Sequence, residues 1–380
     1  MHNMRQLKIG IVCYPTFGGS GVVATELGKA LAEKGHEIHF ITYSQPVRLG
    51  SLRKNVRYHE VNVSDYPLFL YPPYELVLAS KMVDVALHEK LDLLHVHYAI
   101  PHASAAYMAK QILKANGHHL PFITTLHGTD ITLLGRDASF EPVISFAINE
   151  SDAVTAVSQS LKADTYKLFG INKEIQVVPN FIEPQHISNE IKQALREEYV
   201  PEGNPMLIHI SNFRPVKRVM DVMQVFAKVR EQRNATLVLI GDGPERSKAE
   251  QYAREHQLLN VVFVGNVKNP MELLSAADVM LLPSESESFG LAALEAMACG
   301  VPVISSNAGG LPELNRHGVS GLMSDVGDVS EMAKQVLYLI ETPDRLNKFK
   351  KQAKERSESF NLKTVLPQYE AIYEHVLNHE

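Results

Sequence analysis

The segment PSESESFGLAALEAMACGVP sets two carboxylates around a short turn that contains a glycine. Ser288 is a suitable N-cap, so we predict a helix from Ser288 to about Cys299, starting where a strand ends. Backbone N–H groups at a helix start bind phosphate, and Gly290 leaves them open to approach. Glu287 and Glu295 bracket the turn, and carboxylates accept hydrogen bonds from sugar hydroxyls. Either glutamate alone would be read as a solvated surface side chain. The N–H groups expected to hold the anion are those of Phe289, Gly290 and Leu291.

A second glycine-rich turn, FGGSGVVA, follows the first apolar run and satisfies the dinucleotide fingerprint G-x-G-x-x-A. In that fold the first glycine follows the strand at once, whereas Pro15–Phe17 intervene here. The acid that should hold a ribose about 20 residues further on is also missing, because the segment there reads HFITYS. We therefore interpret Gly18, Gly19 and Ser20 as an anion site that does not hold the pyrophosphate of NAD. This weakens the alternative of an NAD-dependent oxidoreductase, which the absence of an NAD-dependent thermal shift would close.

Cations follow a third apolar run, in the segment HISNFRPVKR. Arg214, Lys217 and Arg218 stand at the entry to the next helix, where positive charge can neutralise a diphosphate leaving group. Alone, such residues usually face solvent. The pair His95 and His97 shares one strand face and could ligate a metal, but no further ligand stands at a recognisable spacing, so we expect no metal site.

Strand-like apolar runs alternate with helical patterns along the chain, which predicts parallel sheets buried on both faces. The runs are KIGIVCY, EIHFIT, DLLHVH, FITTLH, AVTAVS, IQVVPN, MLIHIS, TLVLIGDG, NVVFVG, DVMLLP and PVISS. They form two sets, and prolines interrupt the periodicity over 179–184. The fold class predicted is α/β, with two doubly wound, Rossmann-like domains whose ligands bind in a cleft at the carboxyl ends of the strands. The predicted domains are 1–180, 181–362, and a C-terminal helix over 363–380 that packs back on the first domain.

Composition narrows the class of protein. The chain has 380 residues, a formal net charge of −6 and two cysteines. The negative charge argues against nucleic acid as a partner, and the few cysteines indicate reduced thiols in the cytoplasm. A first strand near Leu7 leaves no room for a signal peptide, and no apolar run approaches the roughly 18 residues that span a bilayer. We expect a soluble cytoplasmic protein.

Taken together, GGSG, LHGTD, the lysine of FRPVKR, GDGP and ESFGLAALE resemble the family 4 glycosyltransferases over nearly the whole chain. The resemblance implies a retaining enzyme of the GT-B fold that uses a nucleotide sugar without a metal or other cofactor. The longer segments LHVHYAIPHA, TTLHGTDIT and HISNFRPVKR narrow the match within the family. They imply UDP-N-acetylglucosamine as donor, L-malate as acceptor, and the first step of bacillithiol synthesis.

The same resemblance assigns roles to residues. Glu295 would bind the ribose, Glu287 the hydroxyls of the donor sugar, and Lys217 the diphosphate. His127 would face the sugar, Asn266 and Val267 would lie near uracil, and Gly18, Gly19 and Ser20 would close over the phosphates. One departure is that Asn212 stands where the family commonly has arginine, so Arg214 becomes the alternative cation. Loop position alone suggests, for the acceptor, Arg48, Tyr98, His102, Thr129 and Arg136.

Other functions stay open at this point. The basic and aromatic segment PVRLGSLRKNVRYHEVNVSDYPLFLYPPY would suit a lipid acceptor at a membrane surface, and a sugar acceptor is the other alternative within the family. A sensor that binds a sugar nucleotide without turning it over would need the same binding residues. Assembly into a homo-oligomer is also left open.

Overall fold

A computed structural model describes residues 5–16, 18–50, 54–64, 70–133, 135, 137–183, 186–200 and 202–378. The chain forms two compact units. Unit 1 consists of Met1–Asn180 together with Leu362–Glu380, and unit 2 is the continuous segment Phe181–Asn361. The division falls within the proline-containing stretch 179–184.

Unit 1 is built on a seven-stranded sheet whose paired strands all run parallel. Its strands are β1 Lys8–Val12, β2 Glu37–Thr42, β3 Val56–Glu60, β4 Leu93–His97, β5 Phe122–Leu126, β6 Ala153–Ala156 and β7 Ile175–Val177. The α-helices are α1 Gly19–Glu33, α2 Tyr74–Glu89, α3 Ser104–Ala115, α4 Glu141–Glu150, α5 Gln159–Leu168 and, from the end of the chain, α14 Leu362–Asn378. The strand order is β3-β2-β1-β4-β5-β6-β7.

Unit 2 repeats this plan with a six-stranded parallel sheet in the order β10-β9-β8-β11-β12-β13. Its strands are β8 Met206–Ile210, β9 Thr236–Ile240, β10 Val261–Gly265, β11 Val279–Leu282, β12 Val303–Ser306 and β13 Gly321–Ser324. The helices are α6 Asn189–Tyr199, α7 Val219–Arg230, α8 Arg246–Glu255, α9 Pro270–Ala276, α10 Leu291–Ala298, α11 Leu311–Leu314, α12 Val329–Ile340 and α13 Pro343–Ser357.

Both sheets reverse their strand order at one point, between β1 and β4 in unit 1 and between β8 and β11 in unit 2. The two loops that leave such a pair of strands diverge to opposite faces of the sheet, which opens a crevice at the carboxyl ends of the strands. The central strands β4 and β5 are buried along their whole length, as expected for a parallel sheet covered on both faces. The predicted α/β class with two doubly wound sheets is confirmed.

Two strands escaped the sequence prediction. In β3, VRYHE, only Val56 is buried, so the segment lacks the continuous apolar run used to find the others. The strand β13, GLMS, is four residues long and begins with a glycine. Both lie at sheet edges, where a strand needs apolar residues on fewer sides.

Candidate functional site

The crevice of unit 2 brings together a predicted cation and a predicted carboxylate. Lys217 lies in the loop after β8 and Glu287 in the loop after β11, and Lys217 Nζ donates to Glu287 Oε2 at 2.6 Å. Their side chains are 21% and 17% exposed, so the pair is partly screened from solvent yet reachable. The two loops are also joined by the backbone, since Glu285 N donates to Val216 O at 2.8 Å. The ion pair is thus held by the switch point of the sheet.

The predicted N-cap of helix α10 is wrong by two residues. The helix begins at Leu291, and its N-cap is Gly290 at φ 95°, not the Ser288 side chain. The first intrahelical bond in this turn runs from Leu294 N to Gly290 O at 3.0 Å. The N–H groups without an intrahelical acceptor are therefore those of Leu291, Ala292 and Ala293, while those of Phe289 and Gly290 precede the helix.

The loop 287–290 packs against two glycines, Gly309 and Gly310, for which no role was predicted from the sequence. Gly310 N donates to Glu287 O at 2.8 Å. A Cβ at Gly309 would lie 2.1 Å from Glu287 O, and one at Gly310 would lie 2.3 Å from Ser288 O. Because backbone atoms cannot move aside as a flexible side chain can, the carbonyl groups of this loop are packed directly on the Gly-Gly turn. The signal available in the sequence was the pair GG, separated by two residues from the end of the strand β12.

We expect Gly309→Ala to displace the loop that carries Glu287. Gly309 has φ 58°, which alanine adopts only with strain, and the added methyl would overlap Glu287 O. The free energy of unfolding of unit 2 should fall by about 2 kcal/mol, measured by urea denaturation. The matched control is Gly318→Ala, since Gly318 has φ 76° but open space around its Cβ. Equal losses in both variants would contradict a packing role for Gly309.

The remaining unit 2 candidates are spread around this pair. Glu295 is buried, at 6% exposure, on α10. Arg218 is engaged by Asp221, with Nε donating to Oδ2 at 2.6 Å. Asn212 and Arg214 are exposed beside Lys217 in the loop after β8. Asn266 and Val267 directly follow β10, one of the two edge strands of the sheet.

The crevice of unit 1 carries Ser20 and Tyr98, one from each side of the switch point. Gly19 and Ser20 open helix α1, with Gly18 as its N-cap. Tyr98, after β4, donates its hydroxyl to Ser20 Oγ at 2.8 Å. Burial raises the pKa of Tyr98 to about 12, so this hydroxyl stays a donor. The close approach in the glycine-rich turn falls at Gly21, where a Cβ would lie 2.4 Å from Tyr14 O.

His127 stands beside Tyr98 in the same crevice, with ring centroids 5.3 Å apart. Its Nε2 lies 2.8 Å from Nδ1 of His97, the last residue of β4. Burial lowers the pKa of His127 to about 3, so the ring is neutral at physiological pH.

Asp130 is a site residue that sequence reasoning missed, although it ends the motif LHGTD. It is fully buried and accepts from Ala99 N at 2.8 Å and from Gly128 N at 3.0 Å. These bonds tie the loop that follows Tyr98 to the loop that follows His127. Burial raises the pKa of the Asp130 carboxyl to about 6, against the lowering effect of the backbone N–H groups.

The acceptor candidates are placed unevenly. Thr129 is exposed and Arg48 is half-buried. His102 is buried, its Nδ1 bonds His97 O, and its ring packs 4.6 Å from that of Tyr14, so it supports the crevice from below its surface. Arg136 lies outside the described residues.

One group of side chains in the described part of the chain has the arrangement of a metal site, and it lies away from both crevices. The ligand atoms of His39, His59 and Glu89 lie within 4.8 Å of one another. However, His39 Nδ1 lies 3.0 Å from His59 Nε2, and Glu89 Oε2 accepts from the Arg57 guanidinium at 2.8 Å. Because these contacts already engage His39 Nδ1, His59 Nε2 and Glu89 Oε2, these atoms need no metal ion to satisfy them. Of His95 and His97, which share a strand face, His95 is likewise engaged, since its ring nitrogens bond the hydroxyls of Tyr373 and Thr125.

Comparison with known proteins identifies the class. The profile described as Glycosyltransferase Family 4 matches residues 17–186, and that described as Glycosyl transferases group 1 matches residues 190–356. The chain belongs to the family 4 glycosyltransferases, as its motifs predicted. It is 50% identical over 375 residues to N-acetyl-alpha-D-glucosaminyl L-malate synthase from Bacillus anthracis, covering 98% of each chain. An uncharacterized glycosyltransferase from Methanocaldococcus jannaschii is 29% identical and covers 83% of this chain and 84% of its own.

Solved structures share the fold at low identity. Sucrose-phosphate synthase from Thermosynechococcus elongatus matches with a TM-score of 0.81 and 21% identity, covering 99% of this chain and 100% of its own. The Anabaena protein HepE, in complex with UDP and glucose, matches with a TM-score of 0.82 and 22% identity, covering 97% and 99%. Among the helices that the structure describes, each lacks the length or the apolarity needed to cross a bilayer.

Proposed function

We propose that the chain is a retaining glycosyltransferase that moves N-acetylglucosamine from UDP-N-acetylglucosamine to the hydroxyl of L-malate, the first step of bacillithiol synthesis. The observation that carries this proposal is the 50% identity, over 98% of both chains, to the Bacillus anthracis protein named for that product. The Lys217–Glu287 pair at the switch point of unit 2 supports it, because such crevices bind nucleotides. Unit 2 is then the donor unit and unit 1 the acceptor unit.

The enzyme must stabilise the negative charge that develops on the departing diphosphate of UDP. In a retaining transfer without an enzymic nucleophile, the malate hydroxyl attacks on the face that UDP is leaving, and a diphosphate oxygen takes its proton. The bond between the malate oxygen and C1 of the sugar forms as the bond between C1 and the diphosphate oxygen breaks. Lys217 supplies a cation to the diphosphate, and N–H groups at the start of α10 supply neutral donors. With charge neutralised in this way, we propose that the transfer needs no metal ion or other cofactor.

The carboxylates then act on the sugar side. Glu287 Oε2 is bonded to Lys217 Nζ, but a carboxylate has about four acceptor positions, so it can also take bonds from hydroxyls of the donor sugar. Glu295, on the following helix, is proposed to accept from the ribose. Asn266 and Val267 are proposed to bind uracil, and Arg214 is the second cation in place of the family's usual arginine.

A panel of acceptors tests the proposal. The measurement is UDP release from UDP-N-acetylglucosamine with L-malate, other hydroxy acids, sugars and lipid vesicles, in EDTA. We expect release that depends on L-malate, is unaffected by the chelator, and yields the α-anomer by NMR. Release only with another acceptor would refute malate as the substrate, and UDP binding without release under any condition would indicate a sensor.

A lipid acceptor is the alternative that a specific observation favours. Leu70 and Tyr71 are 85% and 78% exposed, and both belong to the aromatic segment that suggested a membrane contact. Flotation with anionic vesicles distinguishes the two readings. Under the malate proposal the protein stays at the bottom of the gradient, and comigration with the vesicles would favour the lipid acceptor.

A further inference from the structure

His97 is fully buried at the end of β4 and touches a proposed sugar-binding residue without reaching the crevice surface itself. Its Nδ1 lies 2.8 Å from Nε2 of His127, and the two rings stack with centroids 5.1 Å apart. Its other nitrogen, Nε2, is buried and has no hydrogen-bond partner among the described residues. Of the two ring nitrogens of His97, only Nδ1 therefore has a partner to which it can donate a proton.

The position of that proton follows from the cost of a buried, unpaired donor. In one arrangement, His97 carries its proton on Nδ1 and donates it to His127 Nε2, leaving only a bare lone pair unpaired at His97 Nε2. In the other, His127 Nε2 donates, and the N–H of His97 Nε2 stays buried with no acceptor. An unsatisfied buried N–H is the rarer and costlier state, so the first arrangement is favoured. The neighbouring His102 has the same pattern, with Nδ1 bonded to His97 O and Nε2 without a partner.

The proton position on His97 decides what His127 offers to a ligand. If His127 Nε2 accepts from His97, the single proton of the neutral His127 ring must sit on Nδ1. His127 is half-buried beside Tyr98, which itself donates to Ser20. Nδ1 of His127 is then a donor, which suits a hydroxyl or phosphate oxygen and not another N–H.

We propose that His97 is a positioning residue, which holds His127 in the Nδ1-protonated form so that His127 presents a neutral N–H donor to an oxygen of the nucleotide sugar. The part that concerns the sugar rests on the proposed function. The tautomer itself does not, since it is a property of the free protein.

The first test is therefore made without substrate. Histidine-selective ¹⁵N labelling and long-range ¹H–¹⁵N correlation spectra report which ring nitrogen carries the proton, and the His127 signals are assigned by their loss in His127→Asn. We expect a bare Nε2 and a protonated Nδ1 for His127 in the wild type. An Nε2-protonated His127 would overturn the proposal whatever the enzyme's activity.

Two substitutions then separate positioning from packing. In His97→Asn the side-chain amide nitrogen falls near the place of Nδ1 and keeps a donor toward His127, whereas His97→Leu removes it. We expect His97→Leu to lose the His127 tautomer and about tenfold in kcat/KM for the donor, and His97→Asn to keep the tautomer and most of the activity. Thermal unfolding of both variants controls for lost packing. Equal losses of activity in the two variants would refute positioning, and the wild-type tautomer without any transferase activity would refute the proposed function alone.

Discussion

Lys217→Ala is expected to lower kcat for malate-dependent UDP release by about 100-fold to 1,000-fold, because one donor aimed at developing charge is worth on the order of 2.7–4 kcal/mol. Glu287 forms an ion pair with Lys217 at 2.6 Å, so it loses its cationic partner when Lys217 is replaced by alanine. The diphosphate would then meet an uncompensated carboxylate in addition to losing a positive charge. Initial rates at saturating donor and acceptor measure the effect.

The control for this prediction is Lys248→Ala. Lys248 is also a unit 2 lysine paired with a glutamate, Glu245 at 2.8 Å, but its side chain is 66% exposed on helix α8. Its loss should leave kcat unchanged. Lys217→Met adds a second arm, since it keeps the apolar stem and removes only the charge. Near-normal turnover in either Lys217 variant would show that another cation, such as Arg214, supports the leaving group.

Acidification is expected to open unit 1 before unit 2, at pH values between 6.5 and 4. Burial lowers the pKa of His39 and His102 to about 4 and of His95 and His127 to about 3, and holds that of His97 well below its usual value. Each folded pKa lies below the unfolded one, so the unfolded chain binds more protons and stability falls as the pH drops below 6.5. Each ring contributes about 1.4 kcal/mol per pH unit in that window.

One group in unit 1 opposes this trend. The raised pKa of Asp130, about 6, makes the folded state bind a proton that the unfolded chain releases above pH 3.8. These five histidines less one carboxyl predict a net uptake of at least about four protons when unit 1 unfolds near pH 5. Burial also lowers the pKa values of His36 and His59, which adds to the uptake. In unit 2, His209 is the fully buried histidine among the described residues, with a pKa lowered to about 4 by burial.

Hydrogen exchange followed by mass spectrometry at pH 7.5, 6.5 and 5.5 resolves the two units, and urea denaturation at the same pH values gives the proton uptake. His118→Gln is the matched control, because His118 is exposed and its replacement should change neither measurement. Opening of unit 2 first, or an uptake below one proton, would contradict the role given to the buried rings.

The sequence predicted the fold well because the central strands are continuous apolar runs. Each predicted run contains a strand, and EIHFIT coincides with β2. The strands that were missed are at the sheet edges, where VRYHE is mostly polar and GLMS is too short to show a pattern. The family assignment was also predicted and is confirmed, because motifs such as ESFGLAALE carry several constrained positions at once.

Details of the crevices were harder to predict, since they depend on contacts between distant segments. Ser288 is a good N-cap by type, but Gly290 at φ 95° starts the helix later, on a loop packed against Gly309 and Gly310. The pairing of Lys217 with Glu287 joins residues 70 positions apart. From the sequence, His97 could be assigned only to a strand face shared with His95, where the two could ligate a metal. Its hydrogen bond to His127 could not be predicted, because His127 follows the neighbouring strand β5.

Helix α14 closes unit 1 from the far end of the chain. The Tyr373 hydroxyl is hydrogen-bonded to His95 in β4, and Glu370 forms an ion pair with Lys34. The two segments that connect the units are joined by a parallel β-bridge between Ile182 and Asn361. During translation, unit 1 can therefore be completed only after residues 362–378 have emerged, since until then His95 has the hydroxyl of Thr125 but lacks that of Tyr373. The second unit is encoded in one uninterrupted stretch and carries no such delay.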